Sequence, residues 1–135
     1  MEKYILNEDI KTFYITAKSF PDGISDAYDR LNQIVSQNSK RTFIGFSCPD
    51  INGVIVYNAA VIEDYEGEGE QHGCPTFTIT KGEYVSETIT KWKEKQATIE
   101  HTFRKLVRHP NAECPCVEMY SGDDMVCLVK VGELG

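Results

Sequence analysis

The sequence predicts an α+β domain with internal pseudo-twofold symmetry, and three observations predict it. One order of elements, strand, helix, strand, strand, occurs twice along the chain. The strand-like runs are bounded by turn residues, and each later pair reads as a hairpin. Each helix pattern carries a single apolar stripe, which must be buried against something, and a sheet is the partner available.

The first copy spans about residues 10–62. Thr12–Thr16 reads as a strand, and Pro21-Asp22-Gly23 opens a helix with Asp22 as a candidate N-cap and Ile24, Ala27, Tyr28, Leu31, Ile34 and Val35 on one stripe. Thr42–Cys48 and Val54–Val61 are strands around a turn at Asn52-Gly53. The second copy spans about residues 76–132, with a short strand at Thr76–Thr80 leading into it. There Glu83–Ile89 is a strand, and residues from about Gln96 to Arg108 form a helix with Ile99, Phe103, Leu106 and Val107 on one face and basic residues near its end. Cys116–Tyr120 and Met125–Val131 close the copy as a hairpin around Ser121-Gly122-Asp123-Asp124. Between the copies, about residues 63–73, runs Glu63-Asp64-Tyr65-Glu66-Gly67-Glu68-Gly69-Glu70, acidic and without periodicity, which reads as an exposed linker. A cleft between two related halves is a natural place for a small molecule.

At 135 residues, with 41% hydrophobic and 26% charged residues, the chain is long enough for one domain with a real core and too apolar for a disordered one. A formal net charge of -7, with no cluster of Lys and Arg, argues against nucleic acid as a partner. No apolar run approaches the roughly 20 residues that span a bilayer, and residues 1–6 lack the apolar segment of a signal peptide, so the expected location is the cytoplasm, with no membrane partner. The five cysteines are an odd set without small-scaffold spacing, and read as free thiols.

Glu118 is the leading candidate for function. Alternation along Cys116-Val117-Glu118-Met119-Tyr120 sends Cys116, Glu118 and Tyr120 to one face and Val117 and Met119 to the other. If helices cover the Val117 face, a carboxylate and a phenol stand on an open one and attract a cation by charge and ring contact together. When the copies are laid together with Phe46-Ser47 against Tyr120-Ser121, Ile44 and Phe46 join that open face, and only one copy carries the charge. Tyr57, Tyr84 and Trp92, among the one Trp, seven Tyr and six Phe, supply further aromatic surface on strands or at their ends. A single polar anchor in an apolar wall is the usual plan of a small-molecule site.

Other chemistry is weakly signalled. His72-Gly73-Cys74 and Cys114-Pro115-Cys116 offer four potential zinc ligands, but C-x-C lacks the usual knuckle spacing and the reading favours idle thiols. Gly67-Glu68-Gly69-Glu70-Gln71-His72 lacks the last glycine of a dinucleotide fingerprint and would repel phosphate. None of His72, His101 and His109 has a local partner that marks a catalytic base. No cofactor is expected, and nothing in the chain demands catalysis.

With Gly82-Glu83-Tyr84 entering the second copy and Glu118-Met119-Tyr120 on its later strand, the chain resembles the gyrase-inhibitor-like superfamily, the bacterial transcription activator effector-binding domain. The resemblance implies a curved antiparallel sheet with two helices on one face and a ligand groove on the other. It implies that Glu118, beside Tyr120, anchors lipophilic organic ligands, cations among them, between aromatic side chains. Family regulators join this domain to a DNA-binding helix-turn-helix, for which this chain has no residues left, so the expectation is a stand-alone binding protein. Two alternatives follow from the same resemblance. One is a hydrolase of a reactive electrophilic molecule, with Glu118 as general acid or base and Tyr120 or Tyr84 orienting water. The other is an acidic protein that acts on a protein partner such as gyrase.

Overall fold

The computed structural model describes residues 2–35 and 40–132. Eight antiparallel strands form one curled sheet, a half-barrel: β1 (Glu2–Leu6), β2 (Ile10–Thr16), β3 (Phe43–Pro49), β4 (Ile55–Ile62), β5 (Thr76–Ile79), β6 (Gly82–Ile89), β7 (Ala112–Ser121) and β8 (Asp124–Val131). Helices α1 (Ile24–Ile34) and α3 (Gln96–Leu106) stand where the two stripes place them, and a single turn of helix, α2 (Glu68–Gln71), lies between the copies. The strand order is β1-β6-β8-β7-β3-β4-β2-β5. Read from either edge it runs extra strand, then the first, third and second strand of a copy, so the duplication is built into the sheet and the copies meet at the β3–β7 seam.

The helices share one face. On that face α1 buries Ala27 and Leu31 against Phe13, Ala59 and Val61, and α3 buries Leu106, with Ile99 and Phe103, against Val85, Met125 and Val129. The other face curls around its own core: Ile44, Phe46, Ala60, Tyr84, Val117 and Leu128 pack with Tyr4 and Leu6 from one edge strand and Phe77 and Ile79 from the other. Side chains from both edges meeting in one cluster is what closes the curl.

Four sequence expectations change. Strand β1 was not foreseen, because Glu2-Lys3-Tyr4-Ile5-Leu6 shows no clean alternation; it pairs antiparallel with β6, Glu2 opposite Ser86. Helix α1 has Gly23 rather than Asp22 at its N-cap, without a side-chain cap bond. The tight turn demands that glycine, since a Cβ there would stand 2.7 Å from the Ser19 nitrogen.

The acidic segment is no simple exposed linker. Glu63 and Glu68 are buried, and Glu68 receives both terminal nitrogens of Arg41, at 2.9 and 2.7 Å. Finally, Cys48 and Cys114 form a disulfide with Cα atoms 5.8 Å apart, leaving Cys74, Cys116 and Cys127 as free thiols. The expectation of unpaired thiols rested on an odd count, which does not exclude one pair. Among the described residues no helix is long and apolar enough to cross a membrane.

Candidate functional site

The register of the central strands decides what surrounds Glu118. It lies opposite Gly45 on β3 and Cys127 on β8, and Gly45 lies opposite Ala59 on β4. All of these point to the helix-bearing face, so the carboxylate sits at the floor of the gap between α1 and α3. This corrects the expected placement: the groove residue is on the same face as the helices, between them, and the helix-free face is filled by the curl.

Ile44 and Phe46 are therefore not its neighbours. They face the enclosed core with Val117 and Met119, because the two copies align one residue out of the phase assumed, and in a strand one residue exchanges the faces. Tyr84 is also on that side, buried, its hydroxyl donating to the Thr80 carbonyl at 2.6 Å. It serves as a packing residue at the start of β6. Among the other sequence candidates, the structure brings Tyr57, Tyr120 and Trp92 together around Glu118.

The phenols converge on one oxygen. Tyr57 donates to Glu118 Oε1 at 3.0 Å and Tyr120 donates to the same atom. Tyr28 of α1 adds a third hydroxyl, 3.0 Å from that of Tyr57 and 3.0 Å from the Ile44 carbonyl oxygen. Among the described residues no hydrogen bond to Oε2 is formed, and the residue is only partly buried, so this oxygen keeps an unused acceptor position.

Aromatic pairs flank the carboxylate on two sides. Phe20 stacks on Tyr57 with ring centroids 6.1 Å apart and planes 26° from parallel, and Trp92 lies 5.1 Å from Tyr120. Tyr28 meets both tyrosines edge to face, at 6.3 Å. Lys93 Nζ stands 5.8 Å from the Trp92 ring centroid, so that face already accepts a positive charge.

Sequence reasoning missed Tyr28, Gly45 and Phe20. A tyrosine on an otherwise apolar stripe was the available signal for Tyr28, since a buried hydroxyl requires a partner.

Charge in the site is concentrated on one group. Burial pushes the Glu118 carboxyl above its ordinary range, with the hydrogen bonds from Tyr120 and Tyr57 acting against it. Burial and the nearby Glu118 charge push the Tyr57 and Tyr120 hydroxyls far above theirs, and burial does the same to Tyr28. The same two causes push the Cys116 thiol up to about 11 and the Cys127 thiol up to about 12. The phenols and thiols around it thus stay neutral, and Glu118 is the one carboxyl among them.

A stability prediction follows with a definite sign. The folded state holds the Glu118 proton more tightly than the unfolded chain, so this residue costs nothing below the unfolded carboxyl pKa and increasingly destabilises the fold as pH rises above it. Glu118→Gln keeps an oxygen for both phenols and removes the charge. It should raise Tm at pH 7 by a few degrees, the shift about 1 kcal/mol gives a domain of this size, and the gain should vanish on acidification to about pH 4. A variant less stable than wild type at pH 7 would overturn this account.

Two depressions lie elsewhere. One of about 470 Å³ is lined by Asp9, Lys11 and Glu63–Glu66, and one of about 490 Å³ lies beside Arg41, Met119 and Tyr120. Neither is lined by Glu118. Among the described residues no three potential metal ligands are grouped, and Cys114 is committed to Cys48.

No protein-family model matches the chain, and no curated protein sequence does. Solved structures share its fold at low identity. SAV2435 bound to tetraphenylphosphonium is 16% identical with a TM-score of 0.63, over 96% of this chain and 94% of that one. A transcription-regulator-like protein of Staphylococcus aureus MU50 is 15% identical with a TM-score of 0.58, over 96% and 99%. A hydrolase from Listeria innocua is 12% identical with a TM-score of 0.64, over 97% and 90%. The chain thus has the curled-sheet fold shared by a ligand-bound protein, a regulator-like protein and a hydrolase.

Proposed function

We propose that this chain is an effector-binding-type protein of the gyrase-inhibitor-like kind that takes up small lipophilic organic cations between α1 and α3. One observation carries the reading: a single carboxylate, recessed among aromatic rings, has both phenolic donors on Oε1 and none on Oε2. A desolvated anion with an unused acceptor favours a positive partner, and the ring faces add attraction to a cation that cannot donate hydrogen bonds. A fold neighbour with tetraphenylphosphonium bound supports the same reading.

The test is calorimetry with tetraphenylphosphonium and with triphenylphosphine oxide, an uncharged compound of similar surface. Wild type should bind the cation at least about tenfold more tightly, and Glu118→Gln should lose that preference, a difference of about 1.4 kcal/mol or more. Equal binding of the two compounds by wild type, or an unchanged preference in the variant, would overturn the proposal.

The raised carboxyl favours one second reading, hydrolysis of an electrophile with Glu118 as general acid or base, and a fold neighbour is a hydrolase. Accumulation of a hydrolysed product with wild type and none with Glu118→Gln would establish turnover. The reading as an acidic interaction protein would rest on the exposed Asp64, Glu66 and Glu70, because Glu63 and Glu68 turn inward.

A further inference from the structure

Phe20 is difficult to account for as a packing residue alone. It lies in the turn between β2 and α1, and 48% of it is exposed although it is one of the largest apolar side chains in the protein. It stacks on Tyr57, which is only 2% exposed. Outward from Glu118 Oε1 the order is therefore Tyr57 hydroxyl, Tyr57 ring, Phe20 ring, solvent.

The other side of the carboxylate is built in the same way from the second copy. There the order is Tyr120 hydroxyl, Tyr120 ring, Trp92 ring, and Trp92 is partly exposed. Each copy thus supplies an inner ring that holds the carboxylate and an outer ring that reaches water. Phe20 and Trp92 stand on corresponding connections, each between the first strand of a copy and its helix: Phe20 in the turn from β2 to α1, and Trp92 in the single 3-10 turn Trp92–Glu94 from β6 to α3.

We propose that Phe20 is a specificity-determining residue, the partner of Trp92 in a two-sided aromatic clamp, and that the site selects cations carrying two aryl arms, one for each outer ring. This rests on the cation-binding reading of Glu118 and goes beyond it by naming the ligand's shape. Oε1 takes one phenol from each ring pair, so a cation held at this carboxylate lies between the pairs, and a single aryl group reaches one outer ring and leaves the other in water. A second aryl group on the same centre covers the other ring. Aliphatic arms of equal length bury area without the ring-to-ring geometry that aromatic pairs favour.

The experiment measures Kd for three cations of one charge: tetrabutylammonium, with no aryl group, trimethylphenylphosphonium, with one, and dimethyldiphenylphosphonium, with two. Wild type should tighten at each step from none to one to two aryl groups, by about five- to tenfold per step. In Phe20→Ala the second step should disappear, so that the one-aryl and two-aryl cations bind alike, while the first step stays on Trp92. Phe20→Tyr should restore the second step, and Trp92→Ala should also reduce two steps to one.

A Phe20→Ala protein that weakens all three cations by the same factor, or that keeps the second step, overturns the clamp and leaves the Glu118 reading standing. Wild type that binds none of the three overturns both. Phe20 is half in water, so the alanine variant should fold, and an unchanged far-ultraviolet circular dichroism spectrum with a Tm within a few degrees of wild type checks this.

Discussion

Arg41→Met should remove about 3–5 kcal/mol of stability, a large share of the 5–15 kcal/mol that holds a domain together. The Arg41 and Glu68 side chains are 3% and 5% exposed, and they meet through two nitrogens and two oxygens. Arg41 also donates to the Ile62 carbonyl at 2.9 Å, and the Asp64 backbone N–H donates to Glu68 at 2.8 Å. The acidic segment is thereby clipped onto the end of β4. Methionine would fill much of the space and leave a buried carboxylate facing no charge, which is the arrangement proteins tolerate least.

The pH dependence separates this account from simple loss of packing. Burial acts to raise the Glu68 carboxyl, but the Arg41 hydrogen bonds, the Asp64 N–H and the Arg41 charge outweigh it and hold the group below its ordinary range. A depressed carboxyl contributes stability that is present above the unfolded pKa and lost as pH falls through the folded one. In Arg41→Met the guanidinium's hydrogen bonds and charge are gone and only the Asp64 N–H still acts against burial, so burial dominates and acid becomes favourable to the fold. Urea titrations at pH 7 and at about pH 4.5 should therefore show the gap between wild type and variant narrowing on acidification. Arg41→Met combined with Glu68→Leu should recover most of the loss. A gap under about 1 kcal/mol at pH 7 would mean that water already reaches the pair.

Gly45→Val should cost about 1–3 kcal/mol and reduce cation binding at least about tenfold. A Cβ at this position would stand 2.1 Å from the Tyr57 hydroxyl oxygen and 3.0 Å from that of Tyr28. Tyr57 is almost wholly enclosed, so it cannot swing aside cheaply, and its bond to Glu118 Oε1 would break. The result would be a carboxylate with one donor fewer and a displaced ring where the ligand should lie. Denaturation and calorimetry on the same protein check both parts. Unchanged binding in a folded Gly45→Val protein would remove Tyr57 from the site.

Helices α1 and α3 and seven of the eight strands were legible because each depends on a local pattern, such as the Ala27–Leu31 stripe or the alternation through Cys116–Tyr120. That alternation also grouped Glu118 with Tyr120 correctly. What could not be read was phase between segments. Which face α1 and α3 would cover, and whether Gly45 or its neighbours would face Glu118, depends on pairing across the seam between residues 73 positions apart. The β7 bulge between Glu113 and Cys116 and the unequal turns of the two hairpins conceal that phase. Separation along the chain also hid the Arg41–Glu68 clip, 27 positions apart, and the Cys48–Cys114 bond, 66 apart. Charge and cysteine patterns along a chain show that partners exist without showing which ones meet.

The seam itself sets a number. Gly45 and Glu118 face each other across the line where the two copies join, about 5 Å apart at their side-chain positions. An acid on both sides would place two carboxyls in one dry recess, where they would share a proton rather than both ionise. A hydrogen atom on one side and a carboxylate on the other give the duplicated scaffold a single negative charge on its midline. If the proposed cation site is right, two halves, four outer and inner rings and one carboxylate predict one cation for each chain, which the calorimetric stoichiometry would check.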